Sequence, residues 1–296
     1  MKKGHFQGWY FKHQIGERVF SFIISFHKDK TGSESAFIQF ITNECALSVQ
    51  YPLEECMVDT QKFQIQMGHN RFSEDGCRVK LKNDEMEVNC NIKYKHLHPL
   101  ESSIMGPFAK VPGLQCRHEI RSMKHEIHGF LELNGEAIEL TGGVGYIEGD
   151  EGHSFPKSYM WTQCNFKYKD YHSIVLAAAN IPMPVKSFEG VICQILYRGR
   201  SYRLATYLGA RIIQKNSHSI TIKQGKMRVY VMALDKGGHA LKSPINGEMM
   251  GRIYENPTCR VRYIFYKEDK KIFDFISRVA SFESVTKSSI HSVIEE

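Results

Sequence analysis

The chain lacks any run approaching the ~20 consecutive apolar residues that a membrane-spanning helix needs. Its opening, Met1-Lys2-Lys3-Gly4-His5-Phe6-Gln7-Gly8, has charge but no apolar core, so it does not read as a signal peptide. A cytoplasmic location is the expectation. The eight cysteines (45, 56, 77, 90, 116, 164, 193, 259) are scattered with no CxxC pair. In a cytosolic chain they read as buried or inert thiols rather than disulfides. Helical periodicity is nearly absent, and there is no low-complexity tract or close internal repeat. Clustered basic charge is missing too. The net charge of +7 arises from 39 basic against 32 acidic side chains. The basic residues alternate with apolar ones, as in Lys80-Leu81-Lys82 and Arg260-Val261-Arg262. That is the pattern of a solvated sheet face rather than a nucleic-acid stripe. It leaves room only for a loose peripheral attraction to anionic membrane surfaces.

Two enzyme classes drop out for want of a motif. Gly143, Gly145 and Gly149 resemble a dinucleotide loop, but the spacing is GxGxxxG and no amphipathic helix follows to hold a pyrophosphate. Ser154 follows His153 without a GxSxG elbow, which argues against a serine hydrolase.

What is present is period-two alternation. Phe20, Phe22, Ile24 and Phe26 share one strand face, and Phe63, Ile65 and Met67 share another. Asp75-Gly76 and Asn83-Asp84 read as turns, and Asn134-Gly135 is the strongest hairpin signal. Val191, Cys193, Ile195 and Tyr197 turn at Arg198-Gly199-Arg200 into Tyr202 and Leu204. Further strands are expected over 218–223, 226–234, 258–266 and 271–283. Short strands at this spacing predict an all-β protein of sandwich or barrel type. With 296 residues, two such units fit best, 1–141 and 142–296, divided near Thr141-Gly142-Gly143.

Three clusters could carry chemistry. Phe6-Gln7-Gly8-Trp9-Tyr10-Phe11-Lys12 sets Trp9 and Phe11 against Tyr10 on a strand. It is either a core-lining strand or the wall of an apolar pocket. The run Gly145-Tyr146-Ile147-Glu148-Gly149-Asp150-Glu151-Gly152-His153-Ser154-Phe155-Pro156 reads as a glycine-punctuated turn holding three carboxylates and an imidazole. It then feeds Tyr159, Trp161, Gln163 and Asn165 into a strand. It is either a junction with solvated acids or a pocket rim where Asp150 or Glu148 acts as a general acid. The third cluster is Cys116, His118, His125 and His128 with Glu119 and Glu126. On a strand His118 and His125 point to opposite faces, as do His125 and His128, so no tetrahedral ligand set emerges. No metal or other cofactor is expected.

Phe6–Lys12 resembles the FEGWYFK-type opening of the tocopherol cyclase family, and Gly145 through Asn165 is similar to that family's central signature. Leu114–His118, Ser122–His125, Ser243–Met249 and Ala280–Glu283 resemble further segments, in order along the chain. The sequence departs from the family at Gln7, where an acid is usual, and at Glu151 and Tyr159, where tryptophan is usual. The resemblance implies two packed lipocalin-like antiparallel β-barrel or sandwich units with a pocket at or near their interface. It also implies a distant relation to carotenoid hydratases and lipocalin-like pericyclases. The implied activity is an isomerase that protonates an alkene of a prenylated or polyene substrate and cyclises the carbocation. Asp150, Glu148 and His118 are then the expected catalytic residues. Trp9, Tyr10, Tyr146, Tyr159, Trp161, Gln163 and Asn165 would bind the hydrophobic, isoprenoid-type partner. The alternatives are a hydratase, in which water captures the cation, or a non-catalytic lipid carrier or sensor.

Overall fold

Alternating apolar residues become strands almost everywhere in the computed structural model. It describes residues 2–182, 187–235, 239–245 and 248–286, the stretches 239–245 and 248–256 by their backbone only. Asn246, Gly247 and the residues beyond 286 lie outside the described residues. Among these there is no α-helix, only strands and three short 3-10 turns. No helix is long and apolar enough to cross a membrane.

The first sheet holds β1 (His5–Ile15), β2 (Arg18–Lys28), β3 (Glu34–Thr42), β4 (Ala46–Tyr51), β5 (Cys56–Asp59) and β6 (Gln64–Met67). It continues with β7 (Asn70–Ser73), β8 (Gly76–Lys82), β9 (Glu87–Lys95), β10 (Cys116–Leu133), β11 (Glu136–Glu139) and β12 (Gly143–Gly152). Its order is β4-β3-β2-β1-β12-β10-β9-β8-β7-β6-β5, with β11 on β10. The second sheet holds β13 (Tyr159–Lys167), β14 (Tyr171–Ile181), β15 (Phe188–Tyr197), β16 (Arg200–Ala205) and β17 (Arg211–Lys215). β18 (Ser219–Gln224), β19 (Met227–Ala233), β20 (His239–Ile245), β21 (Glu248–Lys267) and β22 (Lys270–Val285) complete it. Its order is β16-β15-β14-β13-β22-β21-β19-β18-β17, with β20 on β21. Every pairing for which the register is described is antiparallel, for example β1 with β2 and with β12.

The turns are the ones the sequence signals. Asn134 and Gly135 both have positive φ, 52° and 86°, as a type I′ hairpin requires. Arg198 and Gly199 do the same at 49° and 70°. Asn83 closes its turn by accepting from the Glu85 and Met86 amides at 3.0 and 2.7 Å.

The chain divides into two compact units, but not at 141. The first takes in Met1–Glu101 and Glu119–His153; the second takes in Ser102–His118, Ser154–Ile245 and Met249–Glu296. β12 hydrogen-bonds along nearly the whole of β1, from Phe6↔Gly152 to Gln14↔Val144, so it belongs to the first sheet. The glycine-rich run is therefore a regular strand rather than a turn between domains. Its glycines answer a packing demand. A methyl group on Gly145 would lie 2.1 Å from His125 Nε2, and one on Gly149 would lie 2.6 Å from Trp9 Cδ1.

Each unit has its own core. Phe11, Phe22, Ile24, Ile38, Phe40 and Phe72 are among those filling the first. Met160, Cys164, Ile195, Val231, Tyr263 and Phe265 are among those filling the second. A side chain such as Phe22 contributes about 1.5–3 kcal/mol by leaving water. All eight cysteines are free thiols.

Candidate functional site

In β1, β2 and β12 the two strand faces have different chemistry, although both are largely buried. Trp9, Phe11, Phe22, Ile24 and Ile147 point into the first core. The opposite face carries Tyr10, Lys12, Ser21, Ser25, His27, Tyr146 and Glu148, each 8% exposed or less. Register sets these side chains in rows across the three strands. One row is Tyr146–Lys12–Ser21, the next Glu148–Tyr10–Ile23, the next Asp150–Gly8–Ser25, and the last Gly152–Phe6–His27.

This polar face is hydrogen-bonded in part. Tyr146 Oη donates to Glu148 Oε2 at 2.5 Å, an i,i+2 contact along one face of β12. Burial first, then the negative charge of Glu148, holds the Tyr146 phenol well above its ordinary range. It therefore stays a proton donor to Glu148. Ser21 Oγ donates to Tyr10 Oη at 2.9 Å.

His118 enters from β10, which neighbours β12 in the same sheet. One ring nitrogen of His118, one Glu148 oxygen and one Asp150 oxygen all lie within 4.8 Å of one another. Glu148 is buried, while His118 and Asp150 are half-buried. The trio offers a proton three sites at close range. It also offers a divalent cation one nitrogen and two oxygen donors.

The other imidazoles of the third cluster are placed elsewhere. His125 is buried on the core side, with Nδ1 3.1 Å from Ser122 Oγ and its ring 4.4 Å from Tyr94. Burial drives its pKa well below the ordinary value. His128 sits beside Glu126 at 3.6 Å near the surface.

Trp9 is the clearest correction among the expected binding residues. Alternation puts it in the first core, edge-on to Phe26 and Phe63 with ring centroids 6.4 and 5.9 Å away. It faces away from Glu148 and Asp150, and Gly149 is the hollow that receives it. Tyr10, on the opposite face of β1, lies directly across from Glu148.

In the second unit, Tyr159, Trp161, Gln163 and Asn165 alternate with core residues Met160, Cys164 and Phe166 on β13. Trp161, Gln163 and Asn165 are buried. Gln163 Nε2 donates to Asn165 Oδ1 at 3.1 Å, and Tyr159 Oη donates to Glu283 Oε2 at 2.8 Å.

Sequence reasoning passed over Lys12, Ser21, Ser25, His27 and Glu283 as site residues. Ser25 and His27 alternate with Phe20, Phe22, Ile24 and Phe26, which reads as the wet side of an amphipathic strand. Their signal was the number of short polar residues opposite an apolar row, yet burial of that side is invisible in one strand's pattern.

No protein-family model and no curated protein sequence matches the chain. Solved structures do. CghA, in a structure with Sch210972, superposes with a TM-score of 0.60 at 9% identity, over 95% of this chain and 88% of that one. Kievitone hydratase from Nectria haematococca gives 0.54 at 10% identity, over 97% and 90%. A candidate AttH from Nitrosomonas europaea gives 0.55 at 10% identity, over 96% and 92%. At such identities the likeness is one of fold, and it spans nearly the whole of each chain.

Proposed function

We propose that the protein is an acid–base enzyme of hydratase type, acting on a carbon–carbon double bond in a hydrophobic small molecule. The observation that carries this reading is the meeting of His118, Glu148 and Asp150 within 4.8 Å on a half-buried sheet face, with Tyr146 fixing Glu148. Supporting it is a fold shared with one protein that is a hydratase by name and another solved with an organic small molecule. The substrate class that suits such a face is a polyene or isoprenoid.

The chemistry runs as proton transfer. Asp150, the more open carboxyl, gives its proton to one alkene carbon, and the other carbon becomes cationic. Tyr10, opposite Glu148, is a ring of this face able to stabilise that cation, by about 0.5–2 kcal/mol when desolvated. Water adds to the cation and gives up a proton to His118 or Glu148, so the net change is addition of H and OH across the double bond. A general acid placed this way contributes about 10²–10⁴-fold. Capture of the same cation by a phenol oxygen instead of water would give the cyclase reaction implied by the tocopherol cyclase motifs.

The test is turnover in heavy water of the hydrophobic compounds that co-purify with the protein, identified by mass spectrometry. A new carbon–deuterium bond in the product is expected, together with loss of at least 100-fold in rate for Asp150→Asn at nearly unchanged binding. Return of every bound compound chemically intact would make the protein a carrier and end the enzyme reading.

A further inference from the structure

The row Asp150–Gly8–Ser25 has a gap at its centre. A methyl group built on Gly8 would meet only Ile24 O at 3.3 Å and Ser25 Cβ and Cα at 3.5 and 3.9 Å. Apart from the chain neighbours Gln7 and Trp9, no atom of the described residues lies nearer than these three. The flanking strands are each about 4.8 Å away, so Asp150 and Ser25 stand on either side of a hollow some 9–10 Å across at the backbone. Phe6 and Tyr10, the neighbours of Gly8 on the same face of β1, close it along the strand.

Two side chains of β2, Ser25 in this row and His27 in the next, have polar atoms without hydrogen-bond partners among the described residues. Ser25 is 5% exposed and His27 2%. Among the described residues, neither Ser25 Oγ nor either ring nitrogen of His27 finds a hydrogen bond. They sit at i and i+2 of β2, on the Asp150 side of the sheet. Orphan polar atoms at this depth cost about 1–3 kcal/mol each, and a fold keeps them where something else completes them.

We propose that the hollow over Gly8 is a subsite for a neutral hydroxyl group of the substrate, bonded by Ser25 and His27. The inference rests on the reading of this face as the substrate site, and it assigns the substrate class further: a hydrophobic alcohol or phenol. The chemistry of the two groups selects that ligand. Burial lowers the His27 pKa to about 4, so at neutral pH the ring is uncharged and offers one N–H donor and one nitrogen acceptor. The Ser25 hydroxyl likewise donates and accepts. A hydroxyl group matches both, whereas a hydrocarbon leaves them unpaired. A carboxylate or phosphate would need a cation to offset its lost hydration, and neither Ser25 nor His27 supplies one.

Isothermal titration calorimetry with three matched pairs tests this: decan-1-ol, geraniol and 2-naphthol, each against its methyl ether. The full chain should bind at least one alcohol tenfold or more tightly than its ether. Ser25→Ala combined with His27→Phe should bring that ratio within twofold while the ether's affinity stays put. Gly8→Ala, whose added methyl would stand 3.3 Å from Ile24 O and needs that carbonyl to give by a few tenths of an ångström, should weaken the alcohol more than the ether. Ser25→Ala by itself serves where the double variant fails to fold. Equal or absent binding of alcohol and ether in all three pairs overturns the subsite, as does a preference that survives the variants. Asp150→Asn should keep the preference. Loss of heavy-water labelling with the preference intact therefore removes only the acid–base reading, and labelling without the preference removes only the subsite.

Discussion

β2 shows two buried faces built to opposite rules. Phe20, Phe22, Ile24 and Phe26 pack ring against ring, with Phe22 5.3 Å from Phe40 and 5.8 Å from Phe72. Ser21, Ser25 and His27, on the same strand, are as deeply buried but polar, and two of them are left without hydrogen bonds among the described residues. The first face is stabilised by leaving water. The second is destabilised by burial unless something completes its bonds. Apolar packing and buried polarity are thus separated by the pleat of one strand, 180° apart.

The contrast can be broken from the apolar side most forcefully. Phe22→Ala should cost about 3–5 kcal/mol, read as a lower midpoint in denaturant unfolding. A cost under 1 kcal/mol would mean that this face is not close-packed.

Next in size is the acid response of the polar face. Burial puts the folded-state pKa of His27 at about 4, below the unfolded value near 6.5. The folded chain therefore binds fewer protons than the unfolded chain between those pH values. Stability is fully present above about pH 6.5 and is lost as pH falls toward 4, by up to about 3 kcal/mol at ~1.4 kcal/mol per unit. His125, also lowered by burial, adds a loss of the same sign. His27→Phe should flatten that decline in urea titrations at pH 4–7. An unchanged slope would place the His27 ring in water.

Tyr146→Phe removes a buried donor to Glu148 Oε2 and should cost about 1–3 kcal/mol of stability. The conservative shape change leaves the fold signature in circular dichroism intact. The smallest effect has the opposite sign. Ser25→Ala deletes an unpaired buried hydroxyl and should stabilise the ligand-free protein by about 0.5–1 kcal/mol, a gain of about 1–4 °C in Tm. Destabilisation instead would reveal a partner for Ser25 and narrow the difference between the faces.

Much of the architecture was legible in residue order. Asn134-Gly135 and Arg198-Gly199 adopt the positive φ values that tight hairpins demand, and the strands expected near 218–223 and 226–234 are β18 and β19. The stretch from Gly145 to Gly152 was not legible as a strand. Glycine normally weakens strands, so three of them in eight residues suggest a turn. Gly145 and Gly149 sit in β12 because His125 and Trp9 need their volume, and those contacts join residues far apart in sequence. The same non-locality moved the expected boundary from 141 to beyond His153.

Alternation alone determined that the chain forms antiparallel sheets and that Tyr10 opposes Trp9, because a pleat has period two whatever surrounds it. Tertiary structure decided which side of each strand is dry, that His118 reaches those two carboxyls, and that Gly8 leaves a hollow beside Ser25. Those facts depend on which strands become neighbours, and hydrogen-bonded register between distant segments is written in no local run of residues.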